Sequence, residues 1–259
     1  MELRSWAIRI LSADRLEDKL FYPDILTDFE PGAPIVWQEP TRPKGLHFQR
    51  HNHNEKLPPL SELHNVDKRA ACLHRFAGHE LLAVEIMAFA LLAFPTAPKH
   101  FRKGLANTLR EEQWHVQLYL RRLKNLNLSF EDLPHFRHFW SYTPFMTTPL
   151  RYVSLMSLTF ENANLDFAPT YGAAFKKYDD AASANLMKKI LEDEIKHVSF
   201  GWQWLKKTKD PHLDPWEAWI DNLPPRMTPK RAKGHLTFFP EHRHLAGLSD
   251  EWVINLEKA

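Results

Sequence analysis

Nineteen prolines, unevenly spread, limit where long helices can lie in this 259-residue chain. Proline removes a backbone donor and clashes with the preceding turn, so a helix of several turns is confined to proline-free stretches. Residues 1–64 carry Pro23, Pro31, Pro34, Pro40, Pro43, Pro58 and Pro59, which excludes one long helix there. A short helix from Trp6 to Lys19, followed by an extended arm, is predicted instead. From Asn65 the prolines stop until Pro95, and VDKRAACLHRFAGHELLAVEIMAFALLAF is apolar on nearly every side after Glu80. A helix hydrophobic all round is buried among other helices. The turn between Pro95 and Pro98 then reverses the chain into a second helix, residues 100–125.

A proline-rich connection runs through Pro134 and Pro144 to Pro149 and is long enough to cross a bundle from end to end. The third helix spans residues 150–177, where Pro169 and Gly172 are expected to kink or end it. Asp179 and Asp180 are candidate caps for a fourth, residues 181–207. Two helical hairpins joined by one long connection make an all-α, ferritin-like four-helix bundle with a single crossover. The bundle occupies 65–207, the arm 1–64 and a proline-rich tail 208–259. The tail includes the basic PPRMTPKRAKGH and reads as a solvated surface segment packed by Trp216, Trp219, Phe238 and Phe239.

Charge and cysteine usage narrow the setting. With 34 basic and 32 acidic residues, the formal charge of +2 gives no global attraction to nucleic acid or anionic lipid. Cys72 stands alone, so no internal disulfide forms and a reducing compartment suits the chain. MELRSWAIRI carries charges inside any would-be apolar region, and no secretory signal is expected. The longest apolar run, Leu81 to Phe94, contains Glu85 and falls short of the roughly 20 residues of a membrane span. A cytoplasmic location without a membrane partner is the expectation.

The chemistry lies in a repeat of acids. REEQWHVQLY sets Glu112 and His115 three residues apart, and EDEIKH does the same for Glu194 and His197. At helical spacing each pair leaves one face. A third such pair, Glu241 and His244, sits beside Pro240 where no helical period is seen, and serves as a control. Glu80 precedes Glu112 by 32 residues and Glu161 precedes Glu194 by 33; each first acid is followed five residues on by another, Glu85 or Asp166. Glu80 stands 15 residues before Pro95 and Glu112 14 after Pro98, so at ~1.5 Å per residue they share one height, which Glu85 misses by about 6 Å. Glu161 follows by the repeat, leaving Glu85 and Asp166 as supporting groups or alternative ligands.

Four carboxylates converging in an apolar interior would cost several kcal/mol per ion unless neutralised. Two divalent cations match the charge of Glu80, Glu112, Glu161 and Glu194, and His115 and His197 complete the coordination. Oxygen donors with imidazole and no thiolate suit iron or manganese. Glu111 and Asp193, one position upstream of Glu112 and Glu194, are placed to accept the free ring N–H of a ligand histidine, Asp193 from His115 and Glu111 from His197. His47, His51 and His53 cluster too, but without an acid at matching spacing they read as a solvated loop.

EExxH and DExxH on paired helices resemble the motifs of the diiron-carboxylate, ferritin-like superfamily. The phrases HELLAVEIMAFALLAFP, FENANLDFAP and EDEIKHVSFGWQW are similar to the DUF455 family within it, over residues 65–207. The resemblance implies two metal ions, Fe/Fe or Mn/Fe, held by the six residues above, with dioxygen as cosubstrate. The reading that follows is an oxidoreductase that hydroxylates or oxidises a small organic substrate. Alternatives are a non-enzymatic metal-handling or peroxide-scavenging protein and, with less support, a tRNA-modifying hydroxylase. Tyr119, one turn after His115, has the spacing of a redox tyrosine, and Gly201 at the matching position leaves the other side less crowded. An electron-donor protein and a homodimer are compatible partners.

Overall fold

In the computed structural model, which describes residues 1–49 and 57–259, the first long helix starts at a side-chain cap. The Asn65 side chain accepts from the N–H groups of Asp67 and Lys68 and opens α3, Val66–Ala93. The helices before it are α1, Leu3–Ser12, and α2, Leu16–Lys19. The expected single helix from Trp6 to Lys19 is thus two. Ala13 turns extended so that Lys19 can fold back and donate to Ile10 O at 2.8 Å. After α3 come α4, Lys99–Lys124; α5, Pro149–Leu155; a π turn, Met156–Glu161; and α6, Asn162–Lys177. α7, Ala181–Thr208, is capped by Asp180, and the tail adds α8, Pro215–Asp221, α9, Pro240–Leu245, and α10, Asp250–Lys258. Among the described residues there is no strand, only two isolated bridges.

The chain forms two compact units, Met1–Thr143 and Pro144–Ala259. In the first, α3 and α4 make a hairpin around which the N-terminal arm is tied. Arg102 does much of the tying: its guanidinium holds both Asp28 oxygens at 2.7 and 2.8 Å and donates to Leu91 O and Phe94 O. α3 is long and apolar enough to cross a membrane, but 83% of its most apolar window is covered by protein. Its apolar surface is spent on the core.

In the second unit, α6 and α7 form the other hairpin. Pro169 does not end α6. A proline deprives the carbonyl four residues back of its partner; here that carbonyl, Leu165 O, accepts from His242 Nδ1 of the tail at 2.9 Å. The tail is correspondingly more buried than a solvated segment. Trp219, Trp252, Ala232 and Leu256 share one core with Leu158, Val198 and Trp202.

Candidate metal centre

The first unit brings three of the expected ligands together. His115 Nδ1 on α4 lies 3.5 Å from Glu80 Oε2 on α3 and 3.5 Å from Glu112 Oε2 one turn back. All three side chains are buried, and one ligand atom from each falls within 4.8 Å of the others. Burial first, and the Glu112 carboxylate second, raise the Glu80 carboxyl well above the ordinary carboxylate range, against an opposing pull from His115. Crowded acids next to an imidazole whose Nδ1 faces them form a set that a cation would neutralise. The residues fit a metal ion.

The second unit repeats the pair. On α7, His197 Nδ1 lies 3.5 Å from Glu194 Oε2, with both groups buried. Glu161 is buried as well and ends the π turn. A π turn widens the helix and re-aims the side chains that follow, and such turns recur at functional sites. Residue spacing gives no sign of it. Nor did spacing single out Asn164, whose Nδ2 donates to Glu194 Oε1 at 2.7 Å; an asparagine among polar helix residues carries no distinguishing pattern.

The two acids that follow the first ligands take other partners. Glu85 Oε2 accepts from Arg42 Nη2 at 2.5 Å and Nε at 3.2 Å, while Lys19 Nζ stands 3.0 Å from Oε1, all within a buried cluster. Asp166 is gripped by Arg243 and also accepts the backbone N–H groups of Gly234 and Phe239 at 2.8 Å each. Their oxygens are committed to the arm and the tail, so neither acid is the alternative ligand the spacing allowed. Asp193 is buried and pairs with Lys189 at 2.6 Å and Lys196 at 2.8 Å; Glu111 is half-buried.

Tyr119 is buried edge-on to Phe76. Gly201 does not open a path to the site: a Cβ there would come within 2.2 Å of Ser157 Cβ, so the glycine is a close-packing residue. The control pair lies in a helix after all, α9, but His244 is exposed and faces Asp250 at 3.5 Å. His47 is exposed, and His51 and His53 lie outside the described residues.

Buried carboxylates gathered with imidazoles on helical hairpins define an all-helical protein whose Glu and His groups could bind metal. The model of the DUF455 family, described as a protein of unknown function, matches residues 7–254, and the chain belongs to that family. An uncharacterized protein of Haemophilus influenzae is 28% identical over 143 residues, 52% of this chain and 50% of that protein. The match spans about half the length of that curated relative. No solved structure matches the chain.

Proposed function

We propose that the protein is a dinuclear metal oxidoreductase on a ferritin-like four-helix bundle. In this reading Glu80, Glu112 and His115 and their counterparts Glu161, Glu194 and His197 hold one pair of ions, iron with iron or manganese with iron. The supporting observation is the buried Glu80–Glu112–His115 cluster, with three potential ligand atoms within 4.8 Å of one another. Carboxylates so placed lose hydration at a cost of several kcal/mol per ion, and cations remove that cost. The second unit carries the same Glu-x-x-His relation. When bound, the metal pair supplies Lewis-acid and redox chemistry by which dioxygen would oxidise or hydroxylate an organic substrate.

The chain's own part is to hold ligands and exclude water. His115 and His197 direct Nδ1 toward their neighbouring carboxylates. Asn164 fixes Glu194 through its amide N–H, while Asp193 and Glu111 serve as acceptors for the remaining ring N–H of the histidines. The apolar flank of α3 keeps bulk water away. Tyr119, buried one turn from His115, is the candidate one-electron donor.

Anaerobic loading with Fe(II) followed by metal analysis tests this. Two ions per chain are expected for the native sequence and well below two for Glu112→Ala and His197→Ala; full retention in both variants refutes the assignment. Oxygen uptake that rises with an added metabolite marks an oxidase, whereas many irons per chain without such dependence marks a metal-handling protein.

A further inference from the structure

The π turn that delivers Glu161 is braced from the C-terminal tail. Widening a helix shifts its ladder from i→i+4 to i→i+5, and side-chain donors from outside can hold the altered turn in place. Ser154 O, just before the turn, accepts from the Thr159 hydroxyl at 2.8 Å and from the Trp219 indole Nε1 at 3.0 Å; the same indole N–H lies 3.3 Å from Thr159 Oγ1. All three residues are fully buried. On another side α7 comes close enough that only a glycine, Gly201, fits against Ser157, the second residue of the turn. Trp219 itself is held by α8, whose start is fixed by a reciprocal cap between Asp214 and Glu217.

We propose that Trp219 is a positioning residue for Glu161: its indole N–H holds the π turn in place, so the docked tail sets the geometry of the Glu161 half of the metal site. This rests on the metal-centre reading above. Trp252 supplies the contrast. It is as deeply buried and lies 4.9 Å from Trp219, centroid to centroid, but its Nε1 has no hydrogen-bond partner among the described residues. An indole that only fills the core does not need its N–H; Trp219 spends its N–H on the one carbonyl and the one hydroxyl that frame the turn.

The test compares the full chain with Trp219→Phe, Thr159→Val and Trp252→Phe. Amide hydrogen exchange over residues 158–162 is followed in metal-free protein, and Mn(II) binding is titrated separately. Trp219→Phe and Thr159→Val should each speed exchange in that segment and weaken Mn(II) binding by about tenfold, the scale of lost support behind a metal ligand. Trp252→Phe should match the native sequence in both. Unchanged exchange and affinity in the first two variants, or an equal loss in Trp252→Phe, overturns the proposal. Native protein that binds no Mn(II) refutes the metal-centre reading instead, and the exchange comparison then decides alone whether the indole holds the turn.

Discussion

Arg243 grips Asp166 at two points, Nη1 to Oδ1 and Nη2 to Oδ2, each at 2.8 Å, with both side chains fully buried. Removing one partner of such a pair strands a buried charge, at a cost of about 3–5 kcal/mol. Arg243→Ala should lower stability by that amount in urea unfolding, and the double replacement Asp166→Leu with Arg243→Met should recover only part of it, because the Gly234 and Phe239 N–H groups lose Asp166 as acceptor. Arg9→Ala is the control. Its pair with Asp18 is more than a third exposed, so a change under about 1 kcal/mol is expected.

Glu80→Gln should stabilise the metal-free protein at neutral pH while lowering its metal content. The Glu80 carboxyl is raised in the folded state, so the fold binds this proton more tightly than the unfolded chain. The stability it contributes is complete below the ordinary value of 4.5 and is lost as pH rises through the raised folded value. Glutamine removes that loss. Melting temperatures of both forms at acid and neutral pH, with metal analysis alongside, check the pair of effects.

Acid should loosen the first unit through two histidines. His74 and His135 both bring Nε2 to Phe130 O at 2.8 Å. Burial holds both imidazoles below their usual range, and His135, beside His74, Arg42 and Arg75, falls to about 3. The unfolded chain takes these protons near the ordinary 6.5, so their contribution is present above that pH and is lost as pH falls toward the folded value. His135→Gln keeps an N–H donor without the titration, and should flatten part of the decline in urea midpoint below pH 6.5.

Gly201→Ala places a methyl 2.2 Å from Ser157 Cβ. Overpacking of this kind costs about 1–3 kcal/mol, measurable by thermal unfolding. Ser157→Gly in the same chain should restore most of the loss, because it vacates the volume the methyl needs.

Much of the helical layout was legible because its signals are local. Asp180 caps α7 from just before its helical run, and the turn between Pro95 and Pro98 sets Glu80 level with Glu112, with His115 Nδ1 3.5 Å from both. The repeat of acids was visible too, but half of its meaning was not. Spacing leaves Glu85 and Asp166 as supporting groups or alternative ligands, and it gives no sign that their cations arrive from Arg42, 43 residues away, and Arg243, 77 residues away.

The sequence by itself determined the hairpins and the Glu-x-x-His faces, since helical period and proline exclusion act over a few residues and need no knowledge of the rest of the chain. Only the tertiary structure decided that Pro169 could lie inside α6, that Met156–Glu161 widens into a π turn, and that the tail belongs to the core. Remote donors meet these segments: His242 reaches Leu165 O, which Pro169 leaves without its ladder donor, and Trp219 reaches Ser154 O beside the π turn. Buried polar groups must find partners wherever the fold supplies them, and no local pattern says which distant residue that will be.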